Sequence, residues 1–143
     1  MSKNEHSVRP LLVIAGLLGA SGVLFGAFGA HGLAAVIGGG GEVDPEWLTK
    51  RLNQFDAGVR YHLLHAVALL AFSSHTSRYS PFMVRVIAGC WAAGVAIFSG
   101  LLYALVLTNT PVLGAIVPIG GALMIAGWLA LASCHHDNVI VAN

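Results

Sequence analysis

The sequence predicts an all-α protein: a four-helix transmembrane bundle with an amphipathic interfacial helix between helices 1 and 2. Three observations lead there. Of the 143 residues, 57% are hydrophobic and only 9% are charged, whereas soluble domains carry about 25% charged residues. Four uncharged or nearly uncharged stretches, at about 11–36, 57–75, 82–107 and 112–134, approach or exceed the ~20 residues needed to cross ~30 Å of hydrocarbon. The segment before the second stretch carries one apolar stripe rather than apolar residues all round. In water so much apolar surface would aggregate; in lipid an apolar exterior is required.

The first stretch is uncharged apart from His31. Lys3 and Arg9 before it, and small residues within it, give it the outline of a secretory signal, but it is expected to remain as the first span. Ala15, Gly19, Gly22, Gly26 and Gly29 recur every three or four residues and make one small-residue face. Lipid tails are as apolar as leucine, so spanning helices associate through such close-packing faces.

A loop containing Gly38, Gly39, Gly40 and Gly41 follows. Asp44 can cap a helix whose first residue is Pro45. Leu48, Leu52, Phe55 and Val59 then form one stripe, with Lys50, Arg51, Asn53, Gln54 and Asp56 on the opposite face. This reads as a helix in the membrane interface, anchored by Trp47, that can run on into the second span with a bend near Gly58.

Arg85 is the single charge of the third stretch, where Gly89, Ala93, Ala96 and Gly100 repeat the small-residue device. The fourth carries Gly120 and Gly127, and Pro118 should loosen its first turns. Residues 77–81 and 108–111 supply the remaining turns. Four spans put both termini on the side of Lys3, Arg9, Arg78 and Arg85, against Lys50, Arg51 and Arg60 on the other. That slight basic excess favours cytoplasmic termini.

The net charge of +1, without basic or acidic blocks, gives no reason to expect a nucleic-acid partner. The expected partners are the lipid bilayer and other membrane-protein subunits or a second copy. Cys90 and Cys134 form no CxxC pair, so no disulfide framework is indicated. GxGxxG, Walker, GxSxG and HExxH motifs are absent. His135, His136 and Asp137 could bind metal beside Cys134, although such a set in a polar tail is a weak signal.

Up-and-down threading gathers polar groups in one half of the bundle. His31, Asp56, Arg60, His62, His65, Tyr103 and Pro118 all fall there, and such groups usually face the interior. Asp56 and Arg60 are four apart and can pair. His62 and His65 lie about 60° apart around their helix, and Tyr61 shares a face with His65. Three histidines permit a metal site, a haem ligand pair, a quinone contact or a proton relay. They equally permit hydrogen-bonded locks between helices. The expectation is that His31 and His65 face inward and approach Tyr103.

The runs GAFGAHGL (26–33), GVRYHLLHAVALL (58–70), FSGLLYALVLT (98–108) and LGAIVPIGGALMIAGWLALA (113–132) resemble the domain of unknown function 423 family, which includes the small transmembrane protein 256-like proteins. The resemblance implies a small multi-pass membrane protein of bacterial inner membranes or of mitochondria-derived relatives. His31, Tyr61, His65, Ser99, Gly100, Tyr103, Pro118, Gly120 and Gly121 match the family's motifs; the glycine-rich first loop is longer than the family's. No activity comes with the resemblance. The favoured expectation is a non-enzymatic structural or accessory subunit. The alternatives are a ligand, haem, quinone or metal protein built on His31 and His65, and a conduit for protons or small solutes.

Overall fold

A computed structural model of the chain describes residues 5–39 and 41–133, and every regular element among them is helical. Helix α1 (Glu5–His31) is followed by the short α2 (Leu33–Gly38), then α3 (Pro45–Ser73), α4 (Pro81–Thr108) and α5 (Val117–Ser133). Single 3-10 turns at Thr76–Arg78 and Pro111–Ala115 precede α4 and α5.

Local chemistry sets the boundaries. The Asp44 carboxylate accepts from the Glu46 N–H at 3.0 Å, and Pro45, which has no N–H to satisfy, begins α3. Ser80 and Pro81 repeat the arrangement at α4, where the Met83 N–H donates to the Ser80 hydroxyl at 3.3 Å. Asn109 ends α4 in the left-handed conformation (φ 49°), a region asparagine tolerates better than most residues. Gly39 (φ 59°) ends α2 in the same way.

Two expected spans differ in extent. Residues 11–36 are not one helix, because α1 stops at His31 and α2 restarts after Gly32. Residues 112–134 open with the 3-10 turn; Pro118 lies in the first turn of α5, where its missing N–H costs no intrahelical bond.

The helix expected at the interface runs on into the second stretch: both belong to α3, which continues unbroken through Gly58. Gly58 is buried against Tyr103: a Cβ there would lie 2.8 Å from the tyrosine ring, so the glycine gives room to α4. Phe55 from the expected interfacial stripe is fully buried in the bundle.

Among the described residues three segments are long and apolar enough to cross a membrane: Val8–His31, Pro81–Thr108 and Pro111–Ser133. The expected span at 57–75 is not one of them. After Arg60, residues 61–73 give α3 only about 20 Å of uncharged helix.

The helices stand in the order α1, α3, α4, α5, each antiparallel to the next. Gly22, Gly26 and Gly29 of α1 face Leu63, Val59 and Phe55 of α3, so numbers rise on one helix as they fall on the other. Gly94 and Gly120 bring α4 and α5 into contact, and Gly127 lies under Trp91. Gly19 and Gly100, expected to pack against neighbours, do not: a Cβ at either would meet nothing within 4 Å. Two apolar clusters fill the ends, one around Leu69, Ile87 and Trp91, the other around Leu33, Phe55 and Leu105.

Candidate functional site

Between the two apolar clusters runs a seam of polar and aromatic side chains that crosses all four long helices. Its centre is His62, on the buried face of α3. The Ser21 hydroxyl donates to the Leu17 carbonyl at 2.8 Å, so at His62 Nε2, 3.3 Å away, Ser21 must accept and Nε2–H must donate. The His62 Nδ1 lone pair is then free to accept the Tyr103 hydroxyl at 3.2 Å. One directed chain therefore runs from Tyr103 of α4 through His62 of α3 to Ser21 and the backbone of α1.

His65, one turn along α3, takes the opposite tautomer. An indole N–H only donates, so Trp128 Nε1 donates to His65 Nε2 at 3.2 Å. His65 Nδ1–H in turn donates to the Tyr61 carbonyl at 2.8 Å. This joins α3 to α5. All four ring nitrogens of the two histidines are engaged, as buried polar groups generally are.

Aromatic packing surrounds the seam. Phe25 stacks on Tyr103 with ring centres 4.4 Å apart, and Phe55 approaches the same ring at 4.8 Å. Trp91 and Trp128 meet at 4.7 Å beside His65. Two buried polar atoms near the middle of α4, Ser99 Oγ and Trp91 Nε1, have no partner among the described residues.

The expected trio of His31, His65 and Tyr103 does not form. His31 is exposed, as the last residue of α1, and points away from the glycine face that packs on α3. At the helix end its imidazole can reach water, so burial is not required. His62 takes the place beside Tyr103. Tyr61 is exposed and packs against Phe98 at 4.9 Å, while its carbonyl serves His65. Arg60 is exposed and pairs with Asp56. Among the described residues no three His, Cys, Asp or Glu side chains converge as a metal-binding set. Cys134 and the His135, His136 and Asp137 tail lie outside the described residues.

Arg51 escaped the sequence reading, which put it on a solvated face. It is 5% exposed. Its Nη2 donates to Asn109 Oδ1 at 2.7 Å, its Nη1 to Gln54 Oε1 at 3.1 Å, and its guanidinium lies 5.5 Å from the Trp47 ring centre. Among the described residues no carboxylate pairs with it. Instead it clasps the C-terminal end of α4, whose unbonded carbonyls carry partial negative charge. The available signal was its position four residues from both Trp47 and Phe55, on the buried face.

The fold and the seam define a small helical membrane protein whose buried polar groups tie its helices together. The chain belongs to the family described as "Protein of unknown function (DUF423)", which it matches over residues 25–121. It is 36% identical to a UPF0382 membrane protein of Haemophilus influenzae, over 85% of this chain and 89% of that one. It is 38% identical to the UPF0382 membrane protein YwdK of Bacillus subtilis, over 74% of this chain and 79% of the relative. The UPF0382 inner membrane protein YgdD of Escherichia coli is 30% identical, over 84% of each. No solved structure matches the chain.

Proposed function

We propose that the protein is a four-pass, non-enzymatic bundle of the inner membrane, serving as a structural or accessory subunit that joins itself or a larger membrane complex. One observation carries this reading: every ring nitrogen of His62 and His65 is engaged within the bundle. A haem iron, a metal or a quinone would have to break one of these bonds, leaving the buried Tyr103 hydroxyl or the Trp128 indole without its partner. The seam is therefore read as a lock.

The packing supports four passes. Helix α3 lies antiparallel between the apolar α1 and α4, so it crosses wherever they cross. Its own charges are accommodated: Arg51 is clasped by α4, and Arg60 pairs with Asp56 near the end where α1 stops. Both termini then share one side, the cytoplasm by the basic bias of Lys3, Arg9, Arg78 and Arg85 over Lys50, Arg51 and Arg60.

Detergent-purified protein is expected to show neither a Soret band nor stoichiometric metal, and to cross-link to itself or to another membrane protein in native membranes. A Soret band lost on His65→Leu would overturn the reading. Cysteine labels at residues 1 and 143 should react from the same side of the membrane; opposite reactivity would exclude four passes.

A further inference from the structure

Beside the seam, an open groove of about 870 Å³ lies where the first turns of α3 pass the C-terminal half of α4 and the start of α5. Its size falls in the usual range for small-molecule sites, roughly 300–1,000 Å³. Its walls change character along its length. Glu46, Lys50 and Asn53 line one end, and Phe98, Leu102 and Val117 line the other.

That change follows membrane depth. Arg51 reaches Asn109, the residue that ends α4, so the first turns of the antiparallel α3 lie at or beyond the end of α4. Phe98 lies about 16 Å deeper along α4, from eleven residues at 1.5 Å each. Arg9 and Arg85 mark the far boundary: about 33 Å of helix separates Arg9 from His31 on α1, close to a bilayer's hydrocarbon thickness. The polar end of the groove thus stands at headgroup level and the apolar end within the acyl layer.

Glu46 and Lys50 lie one turn apart, both exposed, yet no ion pair joins them; the single ion pair among the described residues is Asp56–Arg60. A groove with an unpaired anion and an unpaired cation at its polar end suits a ligand carrying both charges. We propose that this groove holds a phospholipid with a primary-amine headgroup, phosphatidylethanolamine. Its phosphate would lie against Lys50 and Asn53, its ammonium against Glu46, and an acyl chain along Phe98, Leu102 and Val117. An anionic phospholipid without an amine would satisfy Lys50 but bring its charge against Glu46, so the carboxylate selects between headgroups.

The test reconstitutes the full chain in bilayers of equal parts phosphatidylcholine, phosphatidylethanolamine and phosphatidylglycerol, extracts it in mild detergent, and weighs the retained lipids by native mass spectrometry. Wild-type protein should retain phosphatidylethanolamine over phosphatidylglycerol by about fivefold, the scale of one exposed ion pair. Glu46→Gln should remove that preference. Lys50→Gln should lower retention of both phospholipids by about fivefold. Arg85→Gln, at the opposite end of α4, should change nothing. Because Glu46 and Lys50 are exposed and bonded to no other helix, both variants should keep wild-type helical content by circular dichroism. Retention without headgroup preference, or a preference that survives Glu46→Gln, would overturn the proposal.

Discussion

The α1–α3 and α4–α5 contacts are both made by glycine, yet they differ in what the glycine meets. On α1, Gly22, Gly26 and Gly29 receive side chains: a Cβ at Gly22 would lie 2.7 Å from the Leu63 methyl, and one at Gly26 3.3 Å from Val59. Between α4 and α5, Gly120 meets backbone. A Cβ at Gly120 would run into the Phe98 main chain and lie 2.8 Å from the Gly94 carbonyl. A leucine tip can swing aside, but a helix backbone moves only with its whole helix. Small residues in a membrane helix are therefore not equivalent: some accept a neighbour's side chain, while others set the distance between two helix axes.

The sharpest way to break this comparison is Gly120→Ala, which should separate α4 from α5 and cost about 3 kcal/mol or more in unfolding from mixed micelles. A wild-type transition midpoint in that variant would show that the contact is not rigid. His62→Leu comes next. It leaves the Tyr103 hydroxyl without its acceptor and removes the donor to Ser21, costing about 1–3 kcal/mol. His62→Gln, whose amide both donates and accepts, should recover part of that loss; equal destabilisation by the two variants would count against the hydrogen-bonded chain.

Gly22→Ala should cost less than about 1 kcal/mol, because Leu63 can re-rotate and alanine favours helix. Smallest of all is Gly19→Ala. With open space around it, this variant should be neutral or raise stability by up to about 1 kcal/mol, read as an unchanged or higher thermal midpoint in detergent. A fall comparable to that of Gly120→Ala would mean that Gly19 faces a partner helix in the measured assembly.

The same distinction separates the residues legible in the chain from those that were not. Asp44 with Pro45 announces a helix start, because a cap acts on N–H groups two or three residues away. Uncharged runs announce bilayer segments, since lipid acts on every residue alike. The small-residue repeat of α1 correctly marks the face that carries Gly22, Gly26 and Gly29. It says nothing of where along that face α3 lies, and so Gly19 was included. His31 was misjudged for a related reason, and His62 was not singled out as the neighbour of Tyr103. Both are polar and both fall in the same half of the bundle, but one ends a helix within reach of water while the other points between α1 and α4.

By itself, then, the sequence determined a helical membrane protein, its turns and the Asp44 cap. These depend on local spacing and on transfer between water and lipid, which each segment undergoes alone. Tertiary structure decided the rest: that α3 runs unbroken through Gly58, that Arg51 is buried against Asn109, that Tyr103 meets His62, and that His65 meets Trp128. Each of those depends on how one helix is rotated and shifted against another. Periodicity along a single chain fixes an angle only relative to its own helix axis, so the partner across the interface stays undetermined until the helices are packed.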